Sequence, residues 1–300
     1  MKKKFLFFIF SLLLCFSANS CKKTSFEKES NKEVILASFT VLADIIENIA
    51  KDEFFVKSIT KPGMEVHGYQ PTPSDLIKAT KAFVFIDNGF GFELWAEKFV
   101  SNLKVRRVTI SDRLDPIFIS EDFYKGKPNP HAWISPQRGI IYVDIIVGSL
   151  SELKPSKAEL FKKNGQIYKD KISKIDKDFS LFINNLDKNV RFLVTCEGAF
   201  SYLTNDYGMK EAYLWPVNAE SLITPKRMAR TISLVKNKNV PAVFCESTVS
   251  NESQMIVAEE TGSKFGGDLF VDSLSEADGV APSYLKMLQH NLFLIKKGLN

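Results

Sequence analysis

From residue 33 onward, short apolar runs alternate with stretches whose apolar residues recur at helical spacing. In the first half of the chain, the runs predicted as strands are residues 33–39, 54–59, 82–87 and 105–110. The stretches predicted as helices between and after them are residues 41–50, 73–79 and 94–103. Strands separated by helices in this rhythm predict a parallel sheet that helices cover on both faces.

A long charged stretch with helical spacing, residues 156–186, interrupts this rhythm. About thirty helical residues would reach about 45 Å, which is long enough to run along two lobes. The alternation then resumes, with predicted strands at residues 190–196, 211–215, 242–245 and 264–271. We therefore predict an α/β fold in which two β/α lobes with mainly parallel sheets are joined by one long connecting helix. The predicted parts are an N-terminal lobe at residues 33–153, the connecting helix at 154–187 and a C-terminal lobe at 188–300.

The first 32 residues predict export and a lipid anchor. Three lysines precede an apolar run, and small residues stand just before Cys21, which is the pattern of a secretory signal at residues 1–20. The polar residues 21–32 then form a tether. This arrangement resembles a bacterial lipoprotein, in which a lipid on Cys21 holds the protein to the membrane, in the periplasm or at the cell surface. Cleavage after Ser20 without lipidation would instead release a soluble periplasmic protein.

The charge of the chain gives no reason to expect a nucleic-acid partner. The formal net charge is +5, and three of the lysines that contribute to it lie in the predicted signal. The mature chain is therefore close to neutral, and its net charge does not indicate the basic surface typical of nucleic-acid binding.

Two cysteines, Cys196 and Cys245, follow Cys21, and two are too few for a disulfide framework. Each of them ends an apolar run just before a glutamate. One bridge is possible if the two strands are neighbours, but we expect buried free thiols.

Four segments each offer a side chain of the kind that binds first-row divalent metals. Two of the three histidines, His67 and His131, lie in loop-like segments, and Glu197 and Asp272 each follow an apolar run. Neutral imidazole and carboxylate together hold zinc, manganese and iron. Each residue stands more than sixty positions from the next, which excludes a local finger or loop site. The spacing predicts one ligand from each of four strand-end loops, meeting between two lobes.

From residue 33 to residue 300 the chain resembles the solute-binding lipoproteins of bacterial ABC transporters for zinc, manganese and iron, the group called cluster A-I. The segments that carry the resemblance are residues 67–75 (HGYQPTPSD), 129–133 (NPHAW), 195–203 (TCEGAFSYL) and 272–274 (DSL). The resemblance implies two β/α lobes linked by a long helix, with the metal in the cleft between them. It also implies His67, His131, Glu197 and Asp272 as ligands and a membrane permease as the partner that receives the ion. We expect the protein to act as a monomer.

The third ligand position carries information about the metal. Zinc-binding members of this family usually have histidine where this chain has Glu197, whereas glutamate resembles the manganese and iron members. A second carboxylate is a hard donor that can bind through both oxygens, which suits Mn²⁺ or Fe²⁺. The chain also lacks a histidine-rich loop between Asp112 and Pro130, a feature of many zinc importers. We expect manganese or iron, with zinc as the alternative.

Other roles for these residues stay open at the level of sequence. Glu197 and Asp272 could cap the elements that follow them, and His290 lies in the closing helix, outside the four segments. Glu246 ends another strand and could either orient a ligating histidine or serve as a cap. We do not expect an enzyme, because four protein ligands leave little room for a reacting water. A surface adhesin is a further alternative.

Overall fold

A computed structural model describes residues 32–101, 103–121, 124–217 and 223–300. The predicted signal, Cys21 and nearly all of the tether lie outside these residues, so the proposed lipid anchor stays a prediction. Within the described part of the chain, no helix is both long enough and apolar enough to cross a membrane.

The first lobe is built on one parallel sheet of four strands. The strands are β1 (Val34–Ala37), β2 (Phe55–Ser58), β3 (Val84–Asp87) and β4 (Arg106–Thr109). Their order across the sheet is β2-β1-β3-β4, so the two central strands, β1 and β3, are buried and consist almost entirely of apolar residues. The helices of this lobe are α1 (Thr40–Ala50), α2 (Pro73–Thr80) and α3 (Leu94–Ser101). Because all four strands are parallel, their carboxyl ends meet at one edge of the sheet.

Two helices follow the first sheet, α4 (Pro136–Leu153) and α5 (Ala158–Asn185). At 28 residues α5 is about 42 Å long. It contacts the first lobe, where the Tyr168 hydroxyl donates to Asp44, and the second lobe, where the Tyr207 hydroxyl donates to Asp176. Helix α5 therefore runs along both lobes. Helix α4 packs against it so closely that a side chain at Gly165 would overlap Val147.

The second lobe contains two pairs of parallel strands. The strands are β5 (Phe192–Glu197), β6 (Lys210–Trp215), β7 (Ala242–Glu246) and β8 (Lys264–Leu269), paired as β5-β6 and β7-β8. The helices are α6 (Ser201–Asp206), α7 (Pro225–Lys238), α8 (Glu252–Thr261) and α9 (Tyr284–Leu299). The two-lobe α/β fold with parallel strands, predicted from the alternation of apolar runs, is confirmed.

The expectation that Cys196 and Cys245 are free thiols is wrong. They form a disulfide with a Cα–Cα distance of 4.8 Å. Strands β5 and β7 lie side by side near their ends, and the bridge joins them there, one residue before Glu197 on β5 and one before Glu246 on β7. The similar settings of the two cysteines in the sequence reflect this equivalent placement.

Hydrogen bonds join the two lobes directly. The Trp133 indole donates to the Val271 carbonyl at 3.0 Å, and the Tyr202 hydroxyl donates to the Asn129 carbonyl at 2.8 Å. The main-chain N–H of Leu274 donates to the Thr40 hydroxyl at 2.9 Å. These contacts hold the loops at the carboxyl ends of the two sheets against each other.

Candidate metal centre

The loop after β2 presents His67, and the segment that follows it fixes the start of helix α2. Thr72 and Asp75 form a capping box, in which the Asp75 carboxylate accepts the Thr72 N–H at 2.9 Å. The Tyr69 hydroxyl donates to the same carboxylate at 2.7 Å. On the other side of His67, the Glu65 carboxylate accepts the main-chain N–H of His67 at 2.6 Å. The residues around His67 thus hold its loop in a defined turn.

His131 stands just before a short 3-10 helix (Ala132–Ile134) that leads into α4. The Asn129 side-chain amide donates to the Gly198 carbonyl at 2.7 Å, which identifies its oxygen as the acceptor for His131. That oxygen lies 3.0 Å from His131 Nδ1. Nδ1 therefore carries the proton, and the lone pair of Nε2 is left to face the cleft. This orientation is the one that a ligating histidine needs.

The two carboxylates come from the second lobe. Glu197 is the last residue of β5, and Asp272 follows the end of β8 by three positions. Both lie at the carboxyl ends of parallel strands, as His67 does in the first lobe. The strand-end loops of the two lobes therefore face each other across the cleft.

The four side chains predicted as ligands meet at one point. The Nε2 atoms of His67 and His131 are 3.2 Å apart, and Glu197 Oε1 lies 3.7 Å from each of them. Asp272 Oδ1 lies 3.6 Å from His131 Nε2, and Asp272 Oδ2 lies 4.0 Å from His67 Nε2. Donors around a tetrahedral ion with bonds of about 2.1 Å are separated by about 3.4 Å, so the distances from the two histidine nitrogens to each other and to the carboxylates are close to those around one metal ion.

Burial sets the protonation of the histidines. The four side chains are at most 5 % exposed. Burial lowers the pKa of His67 to about 3. Burial, together with the nearby His67, also lowers the pKa of His131 well below its usual value. Both imidazoles are therefore neutral at physiological pH, which is the form that binds metal.

Burial has the opposite effect on Asp272. Its pKa is raised well above the ordinary value, first by burial and then by the negative charges of Glu197 and Glu65. Asp272 Oδ1 has no hydrogen-bond partner among the described residues. A buried carboxylate in this setting is costly without a cation, and a divalent ion at the centre would remove that cost.

Aromatic rings and one further carboxylate surround the centre. The Phe92 ring lies 4.7 Å from the His67 ring, and Trp133 lies 5.3 Å from His131, so both rings screen the cleft from water. Glu246 lies behind Glu197, where it accepts the Glu197 main-chain N–H at 3.1 Å. It thus contacts a proposed ligand through the main chain, and the hydrogen bond does not go to a histidine.

His290 lies away from the centre, with its ring 5.4 Å from that of Phe270. Two residues that contact the centre were not expected from the sequence, Asn129 and Glu65. The one feature of the sequence that could have indicated these two residues is their position, because each stands two residues before a histidine proposed as a ligand.

Known proteins of metal transport resemble this chain over most of its length. The family described as zinc-uptake complex component A, periplasmic, matches residues 35–298. The iron-binding protein YfeA of Yersinia pestis is 42 % identical over 270 residues, which cover 90 % of this chain and 87 % of that protein. The manganese ABC transporter substrate-binding lipoprotein PsaA of Streptococcus mitis is 32 % identical, over 98 % of this chain and 97 % of that protein.

A solved structure agrees in fold as well. The manganese-bound periplasmic metal-binding protein of Candidatus Liberibacter asiaticus superimposes with a TM-score of 0.84 at 38 % identity, covering 90 % of this chain and all of that one. The relatives are substrate-binding proteins of transporters, so the expectation that this chain is not an enzyme is confirmed. This chain belongs to the family of zinc-uptake complex component A, the metal-binding substrate-binding proteins of ABC transporters.

Proposed function

We propose that this protein captures a divalent transition-metal ion with His67, His131, Glu197 and Asp272 and delivers it to an ABC-type import permease. The observation that carries the proposal is the convergence of four buried side chains from four loops, with distances of 3.2 to 4.0 Å between the two histidine nitrogens and from them to the carboxylate oxygens. Each donor comes from a different part of one chain, so the site needs no second copy, and we propose a monomer.

Manganese or ferrous iron is the proposed cargo, and zinc is the alternative. Two carboxylates make the donor set harder than three histidines and one carboxylate would, and either carboxylate can bind through both oxygens to raise the coordination number. YfeA is named as an iron-binding protein and PsaA as a manganese transporter component. Zinc stands above both metals in general affinity, so its exclusion would depend on geometry and supply.

We propose that the protein works outside the cytoplasm, attached to the membrane through a lipid on Cys21. Relatives of similar length are named as lipoproteins. The tether between Cys21 and β1 would let the metal-binding part reach the permease while remaining at the membrane. Mass spectrometry of the protein from membranes tests this point, since lipidation adds fatty-acyl mass at Cys21, whereas simple cleavage leaves an unmodified cysteine.

The experiment that tests the metal site combines metal content with competitive affinity for Mn²⁺, Fe²⁺ and Zn²⁺. We expect one ion per chain, and we expect Glu197→His to shift the preference towards zinc. His67→Ala should lose the ion. The chain supplies its own control, because His290→Ala removes a histidine outside the centre and should bind like the wild type.

Tight zinc binding in both the wild type and Glu197→His, with manganese hardly bound, would make this a zinc importer despite its glutamate. A wild-type protein that binds none of the three ions, Mn²⁺, Fe²⁺ or Zn²⁺, would refute the proposed site.

A further inference from the structure

Glu65 lies beside the proposed metal centre without being one of its four ligands. A carboxylate oxygen of Glu65, a ring nitrogen of His67 and a carboxylate oxygen of Asp272 all lie within 4.8 Å of one another. The Glu65 oxygens also accept two main-chain N–H groups, from His67 at 2.6 Å and from Gly68 at 2.7 Å. The carboxylate is therefore held in one place, within 4.8 Å of donor atoms of two of the four ligands.

Exposure distinguishes Glu65 from Asp272. Asp272 is buried, whereas Glu65 is half-buried, as His67 also is when its main chain is counted. A hydrated ion cannot reach four buried donors at once, because it must first exchange some of its bound water for protein atoms. A half-buried carboxylate next to two of the donors can make that first exchange while the ion still keeps most of its water.

The charge of Glu65 reaches the site as well. One of its oxygens lies within 4.8 Å of a ring nitrogen of His67 and of an oxygen of Asp272. A negative charge at the opening of a low-dielectric cleft also raises the local cation concentration.

We propose that Glu65 is the first protein ligand of the incoming metal ion, which it passes to His67 and Asp272, and the last ligand of the ion when it leaves. The inference rests on the proposed function, since it concerns the path to the same four-ligand centre. It gives Glu65 a kinetic role: a residue that binds the ion only on the way in and out lowers the barrier in both directions and changes the final affinity little.

The competing explanation is that Glu65 only folds the turn that presents His67, through its two main-chain hydrogen bonds. Rates separate the two roles. Loss of a turn-forming residue would weaken the bound state, so release would become faster. Loss of a transient ligand would slow capture and release together.

The experiment is stopped-flow capture of Mn²⁺ and its release into excess chelator by the wild type and Glu65→Gln. It is followed through the tryptophan fluorescence, to which Trp133 contributes with its ring 5.3 Å from that of His131. We expect both rates to fall about tenfold, because loss of the transient ligand raises the one barrier that capture and release share. The equilibrium affinity should change less than about threefold, because the two rates fall together.

Glu159→Gln is the matched control. It removes the same charge from an 87 % exposed side chain in the first turn of α5 and should leave both rates unchanged. If Glu65→Gln does not fold, Glu65→Asp is measured instead. It keeps the charge but retracts the carboxylate by one methylene, so both rates should again fall together.

An unchanged capture rate in the Glu65 variant would overturn the inference, as would faster release with normal capture. Normal equilibrium binding with unchanged rates would remove only the role of Glu65 and leave the proposed function standing. A wild-type protein that takes up no Mn²⁺, Fe²⁺ or Zn²⁺ at equilibrium would overturn both.

Discussion

Asn129 connects the two halves of the metal centre through a single side chain. Its amide oxygen orients His131, and its amide nitrogen donates to the carbonyl of Gly198, the residue after Glu197. Asn129 thus holds His131, from the first lobe, and the main chain next to Glu197, from the second lobe. Hydrogen bonds of this kind fix the tautomer and direction of a ligating histidine.

We predict that Asn129→Ala lowers metal affinity about 10- to 100-fold while the protein remains folded. The reason is that His131 loses the acceptor that keeps the proton on Nδ1. Competition with a chelating dye measures the affinity. Asn185→Ala, at the exposed end of α5, is the control and should have no effect. Unchanged affinity in Asn129→Ala would show that packing alone orients His131.

Metal affinity should rise with pH, and the proton that is released should come from Asp272. The raised pKa of Asp272 means that the metal-free protein holds a proton there above the ordinary carboxyl value of 3.8. A metal ion must displace this proton, so affinity increases from that value up to the raised pKa. The histidines contribute little in this range, because burial holds the pKa of His67 to about 3.

Calorimetric titration of Mn²⁺ in two buffers of different ionisation enthalpy measures the protons released. We expect release from the wild type at a pH below the raised pKa of Asp272, and none from Asp272→Asn, which should also bind more weakly. Release that persists in Asp272→Asn would assign the proton to another group.

The four residues proposed as ligands could be chosen from the sequence because histidine is rare here and each one stands in a distinctive motif. Asn129 and Glu65 could not be chosen in the same way. Their roles depend on which main-chain groups lie within hydrogen-bond distance after folding. A sequence does not state those distances.

At the scale of elements, the disulfide joins strands that belong to different hydrogen-bonded pairs. Strand β5 pairs with β6, and β7 pairs with β8. The Cys196–Cys245 bridge therefore links the two pairs of the second lobe covalently, and it does so next to Glu197. Gln254 adds a hydrogen bond from helix α8 to the carbonyl of Val194 on β5.

We predict that replacing both cysteines by serine lowers the free energy of unfolding by about 2–4 kcal/mol, because the bridge closes a loop of 49 residues. Urea denaturation measures the change. The wild type treated with a dithiol reductant should lose a similar amount, and the reductant should not affect the serine variant. Equal stability with and without the bridge would contradict this expectation.

Helix α4 is one element that the sequence patterns did not predict. Its exposed positions, Gln137, Ile141, Asp144 and Glu152, do recur at helical spacing, but the apolar Ile141 interrupts the polar stripe. Helix α5, in contrast, has a charged outer face and was predicted within a few residues of its observed bounds. A helix with a short polar face is harder to predict than one with a continuous charged face.

At the scale of the whole molecule, hydrogen bonds join the lobes on both sides of the metal centre. The Trp133–Val271 and Thr40–Leu274 contacts lie near Asp272, and the Asn129–Gly198 contact lies near Glu197. Arg138 and Asp206 add a salt bridge at 2.8 Å. We therefore expect metal binding to order the ligand loops and not to move the lobes as rigid bodies.

Hydrogen exchange with and without Mn²⁺ tests this expectation. Protection should increase in residues 195–201 and 269–274, and it should stay the same in α5. Unchanged exchange in the two ligand segments would contradict a metal-dependent state that a permease can recognise. A large change in the radius of gyration on binding would contradict the fixed relation of the lobes.

The ligands are distributed along almost the whole folded chain, from His67 to Asp272. No two of them are close in sequence, so a newly made or translocating polypeptide has no partial site with appreciable affinity. Metal loading must follow the completion of both lobes. The protein therefore acquires its ion in the compartment where folding finishes. The unfolded chain does not bind metal ions that it encounters before that point.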